Sequence, residues 1–522
     1  MKHPSPGRRT FLKEVTAFSL LGTSLRSNAT PTGIAGTWEV TIGRLADGRD
    51  LDAYFVIEQA GKDISGYALH YGMKFPLSNA KLEDDRFSFE DLSQVEGRLV
   101  NDELRFTANY GDDAPYSQVL DPEVMHVPSV PSGKRHAFVG RRVPPGTGAP
   151  PPRIELPPER TLPSNGLAPT PPMVWGAWYG FTIAITDPLI REIADALVSS
   201  GLRDAGYDVL NMEVGWTGTR DSRGHLRTNA KFPDMKGLAD YVHSRGLRLG
   251  ICTSPGPYDC TGYLGSHGHE EQDARTFAEW GIDYIKHDLC SANATYGTGD
   301  QRRLYQKMGS ALQACGRPIV YSICQYGDAE VWRWGAAAGG NLWRVSGDIF
   351  DTWESVHHIG FERGDLAGFA RPGHWNDYDY LMVGLGHLSD DEYRTQMTQW
   401  CMVASPLITS VDPRRLAPLE KEILLNRELI AVNQDRRGIP GRRVSRSSGT
   451  EIWMRPLSAG HAVALFNLGD APATMTLDLA RLGLPPAAQV RDLWKHEDLA
   501  LRDGRLAVPV PRHGSAIFRI PA

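Results

Sequence analysis

The sequence predicts an α/β protein: a (β/α)8 TIM barrel preceded by an antiparallel β domain and followed by an antiparallel β-sandwich. Between residues 173 and 440, eight short apolar strand candidates alternate with helical patterns, as expected for such a barrel. Prolines crowd residues 144–172, and short runs of alternating apolar and polar residues occupy both flanks. The chain is therefore divided into a β domain, a linker, a barrel and a second β domain.

The length and charge of the chain restrict its function. At 522 residues, two or three domains are expected. A net charge of -6, without lysine- or arginine-rich runs, argues against a nucleic-acid partner. No apolar run is long enough to span a bilayer, so we expect no membrane span. The oligomeric state stays open.

The N-terminus has the pattern of an export signal. Arg8 and Arg9 are followed by Thr-Phe-Leu-Lys at 10–13 and by a weakly apolar stretch at 15–25. Small residues suited to cleavage come next, at 27–29. Residues 1–29 are predicted to be a twin-arginine signal peptide, which makes the mature protein periplasmic or extracellular. Disulfides persist in such compartments. The six cysteines lack CxxC spacing, so no metal site is predicted.

Residues 30–143 are predicted to form an accessory β-barrel or sandwich. Its strand candidates, separated by Gly, Asp and Asn, lie at 51–58, 63–71, 86–90, 97–110 and 137–143. The Gly36-Thr37-Trp38 start resembles lipocalin-like modules. Carbohydrate binding and plain packing are both compatible with such a module, and packing is favoured. The proline density of residues 144–172 predicts an extended, semi-rigid linker.

The barrel, residues 173–440, has strand candidates at 173–178, 207–213, 247–253, 283–288, 318–324, 342–348, 373–380 and 406–411. Helices are predicted at 188–200 behind an Asp187 cap, at 235–244 and at 301–314. The remaining residues, 441–522, return to short alternating strands and are predicted to form the C-terminal β-sandwich, with a hairpin joining 449–456 to 460–467.

The ends of the barrel strands carry polar and aromatic residues, where barrel enzymes place their active sites. Carboxylates and Arg suit sugar hydroxyls, and aromatic rings suit the apolar faces of a sugar ring. The candidates are Trp178, Glu213, Lys286, Asp288, Gln325, Tyr326, Arg344, Asp348, Asp377 and Asp379.

Lys286 and Asp288 end the fourth strand, and alternate residues of a strand face the same side. Considered alone, the pair is more typical of an ion pair that braces the barrel mouth than of a catalytic site. With a second carboxylate on a nearby strand, it suits a retaining glycosidase, whose two carboxylates lie about 5 Å apart.

The region from about 171 to 520 resembles glycoside hydrolase family 27, the α-galactosidases and α-N-acetylgalactosaminidases. Its motifs occur here in the family order: the Trp175, Trp178 and Phe181 signature, the runs 231–236 and 246–251, the nucleophile motif 284–290, the acid/base motif 343–349, the strand at 373–377, Pro406, and the stretches 433–435 and 453–456.

The resemblance implies roles for individual residues. Asp288 would attack the anomeric carbon, and Asp348 would protonate the leaving oxygen and then activate water. Lys286 would bind sugar hydroxyls and help to keep Asp288 ionised. Arg344 would hold the 2-hydroxyl and Trp178 would stack on the ring. The resemblance also implies a disulfide between Cys260 and Cys290. A structural role is favoured over a catalytic one for Asp377 and Asp379, although Asp377 stays among the substrate-binding candidates.

Three departures from the family pattern concern the sugar. Glu213 and Val214 stand where galactose-specific members carry two aspartates that bind the 4- and 6-hydroxyls. The longer Glu213 could fill the space of the hydroxymethyl group, and Val214 removes an acceptor. Gln325 and Tyr326 replace a Glu-Trp pair, and Cys252 replaces a tyrosine.

The predicted function is an exo-acting retaining glycosidase that releases terminal α-D-galactose from an oligosaccharide or polysaccharide. A β-L-arabinopyranosidase, or another specificity of the family, is the alternative within enzymes. N-acetylgalactosaminidase activity is disfavoured, because that activity needs small residues where Gln325 and Tyr326 stand. A catalytically silent carbohydrate-binding protein is the alternative of another class. No cofactor is implied, because two carboxylates suffice for the covalent and proton-transfer steps.

Overall fold

The computed structural model describes residues 33–44, 50–70, 72–91, 93–108 and 135–522. The predicted signal peptide, residues 1–29, lies outside the described residues. The predicted fold class is confirmed: an antiparallel β domain, an eight-stranded parallel barrel and an antiparallel β domain follow one another along the chain.

The N-terminal domain is one antiparallel sheet in the strand order β4-β3-β2-β1-β9-β8-β7-β6-β5. Trp38, Phe55 and Phe106 are buried in its core. The strands are β1 (Gly36–Arg44), β2 (Asp50–Ala60), β3 (Asp63–His70), β4 (Met73–Pro76), β5 (Ser78–Glu83), β6 (Arg86–Glu90), β7 (Gln94–Val100), β8 (Glu103–Ala108) and β9 (His136–Val143).

The single strand predicted at 97–110 is wrong, because the chain reverses within it. Asn101 and Asp102 have φ of 50° and 60° and join β7 to β8 as a two-residue hairpin turn. Asn and Asp tolerate this left-handed conformation better than other non-glycine residues, which is why they favour such turns.

The barrel strands run in the order β18-β17-β16-β15-β14-β11-β10-β19, all parallel. The amide of Leu381 donates to the carbonyl of Ile408 over 2.7 Å and thereby links the segment after β18 to β19. The strands are β10 (Met173–Gly176), β11 (Val209–Asn211), β14 (Arg248–Thr253), β15 (Tyr284–Asp288), β16 (Val320–Cys324), β17 (Leu342–Arg344), β18 (Trp375–Asp377) and β19 (Leu407–Thr409), and a small hairpin of β12 (Thr217–Arg220) and β13 (Leu226–Thr228) follows β11.

All eight predicted barrel strands are present, but five of the predicted C-terminal ends extend too far. The segments predicted to end at 178, 213, 348, 380 and 411 leave the sheet at Gly176, Asn211, Arg344, Asp377 and Thr409. Glu213 and Asp379 have φ of 61° and 76°, which no strand residue adopts. The chain therefore turns into the barrel mouth before the predicted site residues.

The predicted helices at 235–244 and 301–314 match α4 and α6, whereas the cap of α2 was predicted wrongly. Thr186 caps α2 by accepting a hydrogen bond from the amide of Leu189 at 3.3 Å. Asp187 is the first helical residue, and its carboxylate pairs with Arg191. The helices are α1 (Trp178–Phe181), α2 (Asp187–Ser199), α3 (Leu202–Ala205), α4 (Met235–Ser244), α5 (Glu270–Trp280), α6 (Gln301–Ala314), α7 (Val331–Trp334), α8 (Trp353–Glu362), α9 (Asp390–Met402), α10 (Pro418–Leu424) and α11 (Arg427–Asn433).

Residues 144–172 contain no helix or strand and lie against the barrel. Leu156 and Leu162 are buried, and the amide of Leu162 donates to the carbonyl of Ala337 at 2.8 Å. The amide of Arg160 donates to Gln306 of α6, also at 2.8 Å. This proline-rich segment is thus fixed to the barrel wall around residues 156–162.

The C-terminal domain has one sheet in the order β20-β21-β22-β27-β24-β25 and a second sheet of β23 and β26. The predicted hairpin is confirmed by the pairing of β21 with β22. Buried Arg455 joins this domain to the barrel by donating to the backbone carbonyls of Cys401, Asn433 and Ile439. The strands are β20 (Arg442–Ser447), β21 (Thr450–Pro456), β22 (His461–Asn467), β23 (Ala473–Asp478), β24 (Gln489–Asp492), β25 (Glu497–Ala500), β26 (Arg505–Val510) and β27 (Ser515–Ile520).

Across the described residues, no helix has both the length and the apolar character needed to cross a bilayer.

Candidate active site

Asp288 is the last residue of β15, at the carboxyl end of the barrel, and its side chain is 11% exposed. The Nζ atom of Lys286, two residues earlier on the same strand, lies 3.7 Å from Oδ2 of Asp288. The hydroxyl of Tyr326 donates to Oδ1 at 2.5 Å. Each carboxylate oxygen of Asp288 therefore has a partner that favours the charged form.

Burial and these partners act in opposite directions on Asp288. Burial raises its pKa, and the positive charge of Lys286 is the strongest opposing influence. The charge of Asp348 raises the pKa further, while hydrogen bonds from Tyr326 and Cys324 lower it. The net pKa is raised above the ordinary range for Asp. The influence of Asp348 also means that the two carboxylates interact electrostatically across the barrel mouth.

Lys286 lies nearer to Glu213 than to Asp288, with its Nζ atom 3.1 Å from Oε2 of Glu213. The other oxygen of Glu213 accepts hydrogen bonds from the hydroxyl of Tyr380 at 2.6 Å and from Nδ2 of Asn211 at 2.8 Å. Burial lowers the pKa of Lys286, but Glu213, Cys324 and Asp288 raise it, and the net pKa lies well above the ordinary range. Lys286 is thus an ammonium shared by two carboxylates.

Asp348 lies four residues beyond the end of β17 and has a side chain that is 50% exposed. Oδ1 of Asp348 is 3.1 Å from Nη2 of Arg344. Arg344 is almost fully buried, and the same Nη2 lies 2.7 Å from Oδ2 of Asp379. Arg344 therefore connects a solvent-accessible carboxylate to a buried one.

Asp377 and Asp379 are buried carboxylates that hold Arg344 and the backbone near Asp348 in place. Asp377 accepts a hydrogen bond from the amide of Asp379 at 2.8 Å, and Asp379 accepts one from the amide of Ile349 at 2.8 Å. The pKa of Asp379 is raised to about 7, because burial and the charges of Asp348 and Asp377 outweigh the opposing charge of Arg344. Burial also raises the pKa of Asp377, with Arg344 again in opposition. Asp379 fixes both Arg344 and the backbone that follows Asp348.

The remaining predicted side chains differ in what they offer to a ligand. Gln325 is buried, its Nε2 donates to the carbonyl of Asp328, and its Oε1 accepts no hydrogen bond from the described residues. Trp178 begins α1 and is half-buried between two apolar clusters. Val214 is buried in the cluster that it shares with Ile183. Of these, Gln325 has a free acceptor, while Trp178 and Val214 supply apolar surface.

A disulfide joins Cys260, in the loop after β14, to Cys290, in the 3-10 helix Cys290–Ala294 that follows β15. Within the described ranges, the one group of three His, Cys, Asp or Glu side chains close enough to hold a metal ion is this disulfide pair with Asp288. Cysteines in a disulfide are not thiolate ligands. The proximity instead shows that the disulfide packs against Asp288.

Four residues around this mouth have a left-handed backbone conformation. Glu213, Cys290, Tyr326 and Asp379 have φ of 61°, 35°, 66° and 76°. Each such residue costs about 1–3 kcal/mol, and such residues cluster at functional sites. The conformations of these four residues fix the backbone around Asp288.

Two residues that hold the site, Asn211 and Tyr380, were not among the predicted site residues. Both lie within predicted strands, 207–213 and 373–380, and both donate to Glu213. Asn211 ends β11 and Tyr380 lies beyond β18, so only the fold brings them to the same carboxylate. Nothing in their local sequence indicates that contact.

Comparison with known proteins identifies two matching families. The family described as "Alpha galactosidase A" matches residues 170–435, and "Alpha galactosidase C-terminal beta sandwich domain" matches residues 447–520. The alpha-galactosidase of Cyamopsis tetragonoloba is 41% identical over 368 residues, which cover 69% of this chain and 88% of that protein.

Solved structures show the same likeness. The structure of alpha-galactosidase I from Mortierella vinacea has a TM-score of 0.65 and 34% identity, covering 68% of this chain and 98% of that one. A Bacteroides fragilis structure assigned to the alpha-galactosidase/melibiase class also has a TM-score of 0.65, with 32% identity, and covers 81% of this chain and 86% of that one. Because the Bacteroides fragilis structure covers 81% of this chain, its similarity includes residues that precede the barrel.

Proposed function

The chain belongs to the alpha galactosidase A family, and on that premise we propose that it is an exo-acting retaining glycosidase that releases terminal α-D-galactose. Asp288 is the proposed nucleophile and Asp348 the proposed general acid and base. The observation that carries this proposal is the pair of carboxylates at one barrel mouth, one buried beside Lys286 and the other half exposed beside Arg344.

The proposed reaction has two displacements at the anomeric carbon. In the first, a carboxylate oxygen of Asp288 forms a bond to that carbon while the bond to the leaving oxygen breaks, and Asp348 gives its proton to that oxygen. In the second, Asp348 takes a proton from water, the water oxygen bonds to the anomeric carbon, and Asp288 is released. Two inversions retain the configuration of the sugar.

The surroundings of each carboxylate suit its step. Asp288 is buried, and Lys286 and Tyr326 stabilise the charged form that attacks. Asp348 must give up and regain a proton in every cycle, and its exposed side chain can exchange protons with water. Arg344 holds Asp348 in place at 3.1 Å.

The sugar-binding proposal assigns hydroxyl recognition to Lys286, Glu213, Gln325 and Arg344. Lys286 and Glu213 are already paired in the pocket, so a hydroxyl that bridges them would accept from the ammonium and donate to the carboxylate. Oε1 of Gln325 is a buried acceptor without a partner among the described residues, which suits a hydroxyl donor. Trp178 offers the apolar face for stacking.

The test is the configuration of the first product. We expect the wild-type protein to hydrolyse nitrophenyl α-D-galactoside and to release α-galactose before mutarotation, as followed by proton NMR. Initial release of β-galactose would overturn the retaining mechanism. Binding of galactose without any hydrolysis on prolonged incubation would instead support a silent carbohydrate-binding protein.

A β-L-arabinopyranosidase is the second candidate, and Glu213 and Val214 favour it. Three donors fix Glu213 in the pocket, and Val214 offers no acceptor to a hydroxymethyl hydroxyl. β-L-Arabinopyranoside is the α-galactoside without that group, so it loses nothing at Val214. Rates on the two nitrophenyl glycosides decide between them: a higher kcat/KM for the arabinopyranoside would replace galactose as the preferred sugar.

We further propose that residues 1–29 direct export by the twin-arginine route and that the N-terminal domain is a lipocalin-like module. The Arg8-Arg9 pattern and the Cys260–Cys290 disulfide support export. In an Arg8→Lys, Arg9→Lys variant, we expect the protein to accumulate inside the cell. Unchanged appearance outside the cytoplasm would refute that route.

A further inference from the structure

The N-terminal domain touches the barrel close to the nucleophile strand. A Cβ atom on Gly72, in the turn between β3 and β4, would lie 2.9 Å from Cβ of Ser291 and 2.9 Å from a ring carbon of Tyr258. Real Cβ atoms do not approach other atoms this closely, so only glycine lets the turn rest on these two residues. Tyr258 and Ser291 are called the ledge below.

The ledge is tied to the proposed catalytic machinery. The hydroxyl of Ser291 donates to the carbonyl of Tyr258 at 2.6 Å and accepts from its amide at 2.9 Å. Ser291 follows Cys290, and Tyr258 lies two residues before Cys260, so the disulfide joins the same two segments. Asp288 lies two residues before Cys290. A shift of the ledge would therefore be transmitted to the nucleophile through a short, cross-linked path.

A second contact runs through apolar packing. One continuous cluster of buried apolar residues contains the core of the N-terminal sheet, including Trp38 and Met73, together with Ile183, Val214, Cys252 and Tyr263 of the barrel. Trp178 packs against the same cluster. The core of the N-terminal domain thus continues into the wall of the barrel mouth and does not end at the domain boundary.

That wall adjoins the sugar site, because Cys252 on β14 pairs in register with Lys286 on β15. Burial raises the pKa of the Cys252 thiol well above its usual range, Glu213 and Asp288 raise it further, and Lys286 opposes them. The thiol therefore lies within electrostatic reach of the groups proposed to bind and attack the sugar. Val214, its neighbour in the cluster, follows Glu213 directly in the chain.

We propose that the N-terminal β domain shapes the sugar pocket. By packing on the ledge and on the Val214–Cys252 wall, it sets the position of the groups that recognise the sugar around its C5 substituent. This inference rests on the proposed function. It differs from carbohydrate binding by the domain itself, because the domain acts through barrel residues.

The test compares two glycines of the same domain. Gly72 and Gly61 both have positive φ, 74° and 66°, but a Cβ on Gly61 would meet nothing within 4 Å. Gly72→Ala and Gly61→Ala therefore carry the same backbone cost, and only Gly72→Ala displaces the ledge. Both variants are assayed on nitrophenyl α-galactoside and β-L-arabinopyranoside, which differ only in the C5 substituent.

We expect Gly72→Ala to lower kcat/KM about tenfold and to change the ratio between the two sugars at least about threefold, because small displacements near reacting groups are costly. Gly61→Ala should stay within about twofold of wild type on both substrates. A ratio in Gly72→Ala equal to that in Gly61→Ala would overturn the proposal, since a merely stabilising domain would leave the ratio unchanged.

Hydrogen exchange supplies a readout that does not depend on activity. In Gly72→Ala, peptides that cover residues 250–262 and 284–294 should exchange faster, whereas Gly61→Ala should change only its own turn. Unchanged exchange of these barrel peptides would also overturn the proposal. If wild type hydrolyses neither glycoside, the proposed function fails, and this exchange comparison still decides whether the domain controls the pocket wall.

Discussion

Asp288 and Asp348 are the same side chain in two opposite settings. The side chain of Asp288 is 11% exposed, lies 3.7 Å from Lys286 and accepts a hydrogen bond from Tyr326. The side chain of Asp348 is 50% exposed and is held by Arg344 at 3.1 Å. Burial raises the pKa of Asp288, and two donors and a cation counter it. Both groups are Asp carboxylates beside a cation, so their main difference is how much of each side chain is exposed to solvent.

With the proposed roles of nucleophile and of acid and base, this difference divides the reaction between two identical groups. A nucleophile gains from a dry, fixed position, because water would compete with the sugar for its charge. An acid and base gains from contact with water, which reloads its proton and supplies the second nucleophile. Strand position produces both settings: Asp288 is inside the ladder of β15, and Asp348 lies on the loop beyond β17.

The largest expected effect comes from Asp288→Asn. An amide of the same size cannot form the glycosyl-enzyme bond, so we expect kcat to fall by about 10⁴-fold or more on every substrate. Release of nitrophenol measures this. Asp328→Asn, at the same mouth but outside the proposed mechanism, should stay near the wild-type rate. Turnover of Asp288→Asn at the wild-type rate would refute the assignment of the nucleophile.

The next effect, in Asp348→Asn, should depend on the leaving group. Loss of a general acid costs about 10²–10⁴-fold when the leaving oxygen needs a proton, as in an oligosaccharide. With dinitrophenyl galactoside the first displacement needs no proton, so the covalent intermediate should form quickly and then accumulate. Rapid-mixing measurements of a nitrophenolate burst test this. Equal losses on both substrates would contradict the division of roles.

The fold and the positions of Asp288 and Asp348 at the barrel mouth were predictable from the sequence for a specific reason. Strand periodicity and proline density are local, and motifs around Asp288 and Asp348 are contiguous in the chain. The partners of Glu213 show the limit: Lys286, Asn211 and Tyr380 reach it from three different elements. Contacts between distant segments leave no local pattern. The sequence alone therefore paired Lys286 with Asp288 and did not indicate Glu213, which is the closer partner of Lys286.

Strand ends were the least predictable part of the barrel. Apolar periodicity continues past Asn211 and Arg344, but the hydrogen-bonded ladder stops there. Positive φ at Glu213 and Asp379 ends the extended conformation, and neither residue type signals it as glycine would. The contact of Gly72 with the ledge was equally hidden, because a glycine in a turn has the same local appearance whether or not it meets a neighbour.

A smaller effect, on pH dependence, isolates one partner of Asp288. In Tyr326→Phe, Asp288 loses a hydrogen bond that lowers its pKa, so that pKa should rise. The ionised form then prevails only at higher pH, and the acid limb of kcat/KM should move upward. A hydrogen bond to a charged group is worth about 1.5–3 kcal/mol, so the shift should be about one pH unit or more.

Tyr321→Phe is the matched control for this measurement. Tyr321 is a buried tyrosine on β16, and its hydroxyl bonds to His287 and to the backbone of Tyr305. Its removal should leave the acid limb in place. An acid limb that moves equally in both variants would mean that the shift reports general loosening of the barrel and not the hydrogen bond to Asp288.

The smallest expected effect is on stability, and it separates the two carboxylates without any substrate. Because burial raises the pKa of Asp288 in the folded state, its ionised form opposes folding above that pKa, and the penalty disappears as the pH falls below the unfolded-state pKa. Asp288→Asn should therefore raise the Tm by a few degrees at neutral pH and by nothing in acid. Lys286 keeps Glu213 at 3.1 Å in that variant, so no ammonium is left unpaired.

Asp348→Asn, at a half-exposed position, should leave the Tm nearly unchanged at both pH values. Calorimetry of the two variants at neutral and acid pH measures the contrast, and a fall in the Tm of Asp288→Asn at neutral pH would show that Lys286 and Tyr326 more than compensate for the burial of its charge.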